Sequence, residues 1–249
     1  MKIHTYIICF NEEYIIKNIL DYYNEISSQI FLLDNLSTDN TLKIAREYKK
    51  VTIIPFDTGG VKNNAMHVSL KSQLYKKYSR KGGEHTKEVA DWVICVDTDE
   101  VVYHPDLINV LKEYKSLGVT VPQITGFHMT GKEEIDSTKP IVEQYMFGSR
   151  DDVFDKTAVF DPDFDMSYTK GCHPYGHGFH HMKDTINYKS SKEFPIALLH
   201  YKDIGGLLYE SSVKNLSRFE NIKQHADGTY YGEGAHYAIY EEKGKGFSP

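Results

Sequence analysis

The first hundred residues alternate between short apolar runs and segments in which apolar residues recur at helical spacing. The apolar runs predict four buried strands, at residues 3–10, 29–34, 51–56 and 91–97. The helical spacing predicts three helices between these strands, at residues 14–26, 41–50 and 63–78. Strands and helices that alternate in this way indicate an α/β fold, with a doubly wound sheet joined by right-handed crossovers.

The pattern becomes less regular after residue 103. It predicts a helix at residues 104–118, strands at residues 119–131, 155–162 and 194–201, and a closing amphipathic helix at residues 207–225. A loop rich in His and Gly precedes the last strand. No repeat or linker divides the chain, so we expect one domain over residues 1–205 and a short C-terminal helical extension, residues 206–249, packed on it.

Composition limits the compartment and the partners. The 249 residues are 40% hydrophobic, enough for a sizeable core, and the net charge of −6 argues against a nucleic-acid partner. Three widely spaced cysteines, Cys9, Cys95 and Cys172, indicate reduced thiols rather than disulfides. No run approaches the roughly 20 apolar residues that span a bilayer, and the N-terminus lacks a signal-peptide pattern. We therefore expect a cytoplasmic protein, with peripheral association at the inner face of a membrane left open.

Acidic residues follow all four predicted parallel strands, beginning with Glu12 and Glu13 after the first. Asp34 ends the second strand, Asp57 follows the third, and Asp97, Asp99 and Glu100 lie at the end of the fourth. The carboxyl ends of parallel strands share one edge of the sheet, where ligands of such folds bind. Carboxylates this close together make each other's charge costly unless a cation lies among them. Asp97 and Asp99 therefore indicate a Mg²⁺ or Mn²⁺ site, whose ion could bridge the oxygens of a diphosphate.

Three ordered segments resemble the family 2 glycosyltransferases, which have the nucleotide-sugar-binding GT-A fold. They are "YIICFNEEYIIKNILDYY" at residues 6–23, "IFLLDNLSTDNTLKIA" at residues 30–45 and "DWVICVDTDEVVY" at residues 91–103. The later segments "DKTAVF", "GCH" and "ALLHYK" resemble a subgroup found in bacterial surface-polysaccharide clusters. The resemblance implies a mixed sheet flanked by helices, with a nucleotide-binding half over residues 1–103 and an acceptor-side half over residues 104–205.

The resemblance also implies roles for residues at the sheet edge. Asp34 would accept a hydrogen bond from the base, typically uracil, and Asp99 would bind the metal ion. Asp97 would reach the ribose or the metal ion, and Glu100 would either orient the metal ligands or lie in solvent. Asp39 is expected to cap a helix rather than to contact the ligand. The residues that would line the nucleoside pocket are Cys9, Phe10 and Asn11, with Glu12 or Glu13 beside them.

Other candidates lie in the second half of the chain. His200 ends an apolar run; it is expected either to complete the metal site as a third protein ligand, as in several GT-A enzymes, or to be a packed core residue. His173 would contact the sugar or the pyrophosphate. The candidates for charge compensation at the phosphates are Lys156, Arg150 and Lys170. The candidates for the general base are Asp151 and Asp152, followed by Glu133, Glu134 and Asp155.

The expected activity is inverting transfer of a sugar from a nucleoside-diphosphate donor to a glycan or lipid-linked acceptor in bacterial surface-polysaccharide synthesis, with a UDP-sugar as the expected donor. A nucleotidyltransferase would need a Gly-rich, basic loop for a triphosphate, whereas "CFNEEY" at residues 9–14 is acidic and contains no Gly. Two further alternatives remain: a metallohydrolase built from the His cluster, and a nucleotide-sugar-binding protein without catalysis.

Overall fold

A computed structural model describes residues 1–166, 195–205 and 218, together with the backbone of four short strands elsewhere. The helices are α1 (Ile16–Ile26), α2 (Thr41–Ala45), α3 (Asn64–Tyr78), α4 (Leu107–Ser116) and α5 (Ile141–Gln144). The strands are β1 (Ile3–Cys9), β2 (Gln29–Asp34), β3 (Val51–Pro55), β4 (Trp92–Asp97), β5 (Glu100–Tyr103), β6 (Ile124–Gly131), β7 (Phe147–Arg150), β8 (Val159–Phe160), β9 (Tyr168–Thr169), β10 (His181–Met182), β11 (Ile196–Ile204), β12 (Lys223–Gln224) and β13 (Tyr230–Tyr231). A 3₁₀ turn spans Asp152–Phe154.

The strands form two larger sheets. The first has the order β3-β2-β1-β4-β8, in which the first four strands are parallel and β8 is antiparallel to β4. The second has the order β5-β11-β6-β7, in which only β11 and β6 are parallel to each other. The predicted α/β class with mixed sheets is therefore confirmed.

The register of the parallel strands aligns their carboxyl ends. Cys9 pairs with Asp34 between β1 and β2, and Asp34 pairs with Pro55 between β2 and β3. Ile8, one residue before the end of β1, pairs with Asp97 of β4. The loops that follow these strands therefore meet at one edge of the first sheet, as the sequence predicted.

Both faces of the first sheet are buried, because successive residues of a strand point to opposite sides. In β1, Ile3 and Ile7 pack with α1 and α4 in the larger core. Tyr6 and Ile8, on the opposite side of the strand, pack with α3 in the smaller core. Every residue of β1 is consequently buried, as expected for a parallel strand covered on both sides.

One helix is shorter than the sequence predicted. The helix expected at residues 41–50 ends at Ala45. After Ala45 the backbone makes turn bonds that span three residues, such as Glu47 N to the carbonyl of Ile44 at 3.1 Å. The carbonyl of Lys50 accepts a hydrogen bond from Ile30 N at 2.9 Å, where the ladder between β2 and β3 begins. No helix in the described part of the chain combines the length and the apolar content needed to cross a membrane.

The segment after residue 205 also differs from the prediction. β12 and β13 pair with each other, so the closing helix predicted at residues 207–225 is wrong at its last residues. Apart from Arg218, the rest of that helix lies outside the described residues. The strand expected at residues 155–162 is limited to Val159–Phe160, where the backbone pairs with β4.

Candidate functional site

The loops after β1 and β2 are tied together at the sheet edge. Asn11 N donates a hydrogen bond to Ser37 Oγ at 2.9 Å, and Thr38 N donates to Asn11 Oδ1 at 2.7 Å. Asn11 and Leu36 have φ angles of 53° and 56°, which residues other than glycine adopt at an energetic cost. The hydrogen bonds between the loops help to hold this strained backbone in one shape.

Glu13 and Asp39 connect the same two loops. Glu13 Oε2 accepts hydrogen bonds from the backbone N and the side-chain Nδ2 of Asn40, at 3.0 and 2.8 Å, and Glu13 N donates to Asp39 Oδ2 at 3.0 Å. Asp39 Oδ1 accepts a hydrogen bond at 2.9 Å from the backbone N of Thr41, the first residue of α2. Asp39 therefore stabilises the start of a helix, as the sequence predicted.

Asp34 lies at the end of β2 with only 1% of its surface exposed. Ser37 donates to its carboxylate from the backbone N, 3.1 Å from Oδ2, and from the hydroxyl, 2.5 Å from Oδ1. The thiol of Cys9 lies 3.6 Å from Oδ1. The carboxylate is thus held in one orientation beside Cys9, at the edge where the sequence predicts a nucleotide base.

Phe10 contacts a residue that the sequence analysis did not select. The guanidinium carbon of Arg218 lies 3.9 Å from the centroid of the Phe10 ring, which is a cation–π contact. The carbonyl of Arg218 accepts a hydrogen bond from Lys62 N at 3.1 Å. No spacing in the sequence relates Arg218 to Phe10, so only the fold reveals this contact.

Asp97 is paired with a lysine from α3. Lys71 Nζ lies 2.8 Å from Asp97 Oδ1; the Lys71 side chain is 2% exposed and that of Asp97 is 37% exposed. Burial by itself lowers the pKa of Lys71, but Asp97 and Glu100 outweigh it and raise the pKa above its ordinary value. A buried positive charge therefore lies directly behind the first carboxylate of the motif. In the sequence, Lys71 lies four residues before Tyr75, which places both side chains on the same, buried face of α3.

Glu100 is buried rather than solvated. Its Oε2 accepts a hydrogen bond from Asp97 N at 3.0 Å, and its Oε1 forms an ion pair with Lys156 Nζ. Thr98, between the two aspartates, donates to the carbonyl of Ile8 at 2.8 Å. These contacts hold the Asp97-Thr98-Asp99 turn against β1, and the burial of Glu100 excludes the alternative in which it lies in solvent. They also place Lys156, expected near the donor phosphates, against Glu100.

Three side chains could hold a metal ion among the described residues. Asp99, Glu100 and His200 each offer one ligand atom, and these atoms lie within 4.8 Å of one another. His200 Nε2 is 3.4 Å from Asp99 Oδ2. Burial raises the pKa of Asp99, but the charge of His200 and the hydrogen bond with it outweigh this effect and bring the pKa below its ordinary value.

The donor set of this group fits Mn²⁺ better than Mg²⁺. Two carboxylates suit either ion, whereas an imidazole nitrogen departs from the oxygen-only surroundings that Mg²⁺ prefers. The sequence-based set was Asp97, Asp99 and His200. The structure brings Asp99 and His200 together with Glu100, and it turns the carboxylate of Asp97 toward Lys71.

The first candidates for the general base lie next to the 3₁₀ turn. Asp151 Oδ1 accepts a hydrogen bond from Val153 N at 3.0 Å and caps the turn, whereas Asp152 is exposed. The turn also contains Phe154, whose ring stacks on His200 with the ring centroids 4.0 Å apart. Asp151 and Asp152 therefore belong to the turn whose Phe154 contacts His200.

The remaining candidates are engaged with other residues, are exposed or are not described. Asp155 accepts hydrogen bonds from Gly126 N at 2.7 Å and from Arg150 at 2.5 Å. Asp155 and Arg150, which was a candidate for the phosphates, therefore pair with each other. Glu133 and Glu134 are exposed in the loop after β6. His173 and Lys170 lie outside the described residues.

Comparisons with known proteins give only distant similarities. No protein-family model matches the sequence, and no curated protein matches it. The chain is similar to S. aureus TarS 1–349, with 13% identity and a TM-score of 0.48 over 99% of this chain and 71% of that one. It is similar to a second S. aureus TarS structure, with 14% identity and a TM-score of 0.46 over 98% of this chain and 43% of that one.

A further similarity is to glucosyl-3-phosphoglycerate synthase from Mycobacterium tuberculosis in complex with Mn²⁺, UDP and phosphoglyceric acid. Here the identity is 19% and the TM-score 0.34, over 51% of this chain and 43% of that one. The chain thus spans less than half the length of the synthase and of the second TarS structure. Identities and TM-scores at this level assign neither a family nor an activity.

Proposed function

We propose that the chain is an inverting, metal-dependent glycosyltransferase of the GT-A type, which moves a sugar from a UDP-sugar to an acceptor hydroxyl. The observation that carries the proposal is the meeting of Asp34, the Asp97–Glu100 turn and His200 near the carboxyl edge of a parallel sheet. An uncharged ligand would not need several carboxylates beside two buried lysines. A diphosphate held through a divalent cation uses such carboxylates as ligands of the ion.

Each half of the domain has a role in this proposal. Residues 1–103 bind the nucleotide: Asp34 accepts a hydrogen bond from uracil, and the wall around it is formed by Cys9, Phe10, Asn11 and Glu13. Residues 104–205 supply His200 to the metal site and the side that receives the acceptor. We further propose that residues 206–249 pack on the same domain as an extension, as Arg218 does where it contacts Phe10.

The donor diphosphate requires positive charge and fixed ligands. We assign Asp99 and His200 as ligands of Mn²⁺, with Glu100 or Asp97 completing the set. Bound Mn²⁺ would supply charge compensation for the departing nucleoside diphosphate. His173 is proposed to contact the phosphates or the sugar of the donor, and Lys156 to add positive charge from its position against Glu100. Lys71 and Lys156 hold Asp97 and Glu100 in place before any ligand arrives.

The acceptor hydroxyl needs a base to take its proton as it attacks the anomeric carbon. Asp151 and Asp152 are the proposed candidates, because their turn stacks on His200 through Phe154. The acceptor is proposed to be a glycan or a lipid-linked sugar of a bacterial surface polysaccharide. This setting would place the protein in the cytoplasm, at the inner face of the membrane.

The proposal is tested by thermal unfolding with UDP, with Mn²⁺ and with both. A ligand that binds the folded state raises its stability by mass action, so UDP should raise the unfolding midpoint much more when Mn²⁺ is present. Asp99→Ala should weaken Mn²⁺ binding by more than about 100-fold, because even residues behind the ligands typically contribute 10–100-fold. His200→Ala should weaken it less.

Asp163→Ala is the matched control for the removal of a carboxylate. Asp163 is exposed and follows β8, whose Phe160 pairs with Val93 near the start of β4, at the opposite end from Asp97. Its Mn²⁺ and UDP binding should equal those of the wild type. Metal binding that survives Asp99→Ala would instead support a metallohydrolase. UDP binding without transfer to any acceptor and without slow donor hydrolysis would support a binding protein.

A further inference from the structure

Three neighbouring strands place charged and imidazole side chains in one row of the second sheet. His200 of β11 pairs with Glu100 of β5 on one side and with His128 of β6 on the other. Residues paired in this way point their side chains to the same face of a sheet. His128 therefore stands next to the candidate metal group, although 72 residues separate it from His200 in the sequence.

The two imidazole rings are joined by a hydrogen bond. His128 Nδ1 lies 3.1 Å from His200 Nδ1, and on the far side of His200 its Nε2 lies 3.4 Å from Asp99 Oδ2. His128 Nε2 lies 3.9 Å from Asp203 Oδ2. The order across the sheet is thus Asp99, His200, His128 and Asp203. Since a neutral imidazole carries its proton on one nitrogen only, the Nδ1–Nδ1 contact requires one ring to donate and the other to accept.

Phe154 holds both rings in place. Its ring stacks on His200 with 4.0 Å between centroids and a 23° angle between planes, and on His128 with 6.1 Å and 17°. The backbone beneath Phe154 can lie this close to β6 because residue 126 is glycine. A Cβ at Gly126 would overlap the backbone carbon and the Cβ of Phe154. The rings are therefore restrained in the orientation that makes the Nδ1–Nδ1 contact.

We propose that His128 is a positioning residue that keeps His200 in the tautomer whose Nε2 is free to bind a divalent cation. A histidine that binds metal through one nitrogen generally donates the proton on its other nitrogen to a neighbouring group, which fixes the ring and strengthens the ligand. His128 Nδ1 is the acceptor in the right place for the proton on His200 Nδ1. The proton of His128 is then on Nε2, which faces Asp203. The inference rests on the proposed metal site.

The test compares three substitutions of His128 by titration of Mn²⁺, with the free ion measured by electron paramagnetic resonance. His128→Phe keeps an aromatic ring but has no acceptor. His128→Asn places an amide oxygen near the position of Nδ1, whereas His128→Gln carries its amide farther out, near the position of Nε2. We expect Mn²⁺ binding to weaken by about 10–100-fold in the Phe and Gln variants and to stay close to the wild-type value in the Asn variant.

The Asn and Gln variants form a matched pair that separates positioning from packing. Both amides are polar and smaller than a Phe ring. If packing alone mattered, the Asn and Gln variants would therefore lose Mn²⁺ affinity to a similar degree. Equal weakening in Asn and Gln, or wild-type binding in Gln and Phe, would overturn the role of His128. If Asp99→Ala bound Mn²⁺ as tightly as the wild type does, the proposed metal site would be wrong. The proposed role of His128 would then be excluded with it. The midpoint of unfolding without metal confirms that each variant is folded.

Discussion

The ion pair between Lys156 and Glu100 offers a quantitative prediction about what holds the candidate site together. The two side chains are 6% and 1% exposed, so both charges are nearly removed from water. In Lys156→Met the carboxylate of Glu100 would keep its hydrogen bond from Asp97 N but would lose its ammonium partner. Removing one member of a buried pair leaves an uncompensated charge, which costs about 3–5 kcal/mol of unfolding free energy.

The size of the expected shift follows from the length of the chain. For a domain of this size, 1 kcal/mol lowers the midpoint of thermal unfolding by about 2–4 °C, so Lys156→Met should lower it by about 6–20 °C. Glu100→Gln should also destabilise, because Lys156 then lacks its counter-charge. The double variant removes both charges and keeps an amide oxygen for Asp97 N. It should therefore be more stable than the sum of the single changes predicts, by at least about 2 kcal/mol.

Urea unfolding followed by the fluorescence of Trp92 measures these free energies. Trp92 is the single tryptophan of the chain and is completely buried in β4, so its emission reports unfolding of the sheet that carries the site. Lys17→Met is the matched control, because Lys17 pairs with Asp21 at 2.7 Å with both side chains more than 40% exposed. It should cost about 1 kcal/mol or less. Strict additivity of the Lys156 and Glu100 changes would refute the reasoning.

Three further predictions concern other parts of the molecule. Gly126→Ala should weaken Mn²⁺ binding, since a Cβ there would displace Phe154; unchanged affinity in the Mn²⁺ titration would show that Phe154 does not restrain the site. Asp34→Asn should raise the donor KM about 10–100-fold, the value of a hydrogen bond to a charged group, and lower kcat less; steady-state kinetics with a UDP-sugar showing the reverse pattern would exclude Asp34 from the base pocket. Burial lowers the pKa of His4 despite its hydrogen bond with Glu88, so the unfolded chain binds more protons and stability should fall as pH decreases from about 7 to 5. His4→Gln should flatten that decline in urea melts, and an equal slope in both proteins would mean that another group is responsible.

The edge of the first sheet could be predicted from local sequence patterns. Apolar runs that end in Asp34 and Asp97 mark strand ends, and parallel geometry brings the ends of such strands to one edge. Asp39 could be placed at the start of a helix because capping depends on residues two or three positions away. The prediction was wrong at Lys223–Gln224, where helical spacing continued into residues that pair as a strand.

The partners of the acidic residues could not be predicted in the same way. Lys156 is 56 residues from Glu100, and the pair depends on the loop after β7 folding back on the second sheet. His128 meets His200 only through the register of β6 and β11. The sequence left open whether Glu100 lies in solvent, and only the fold shows its carboxylate buried between Lys156 and the backbone of Asp97.

Local patterning thus established the strands, their shared edge and the carboxylates that lie along it, because strand ends, caps and apolar periodicity are properties of short stretches of chain. The tertiary structure decided which charges are compensated and which nitrogen of His200 faces Asp99. Those outcomes depend on strand register and on burial, and both arise only when segments distant in sequence pack against each other.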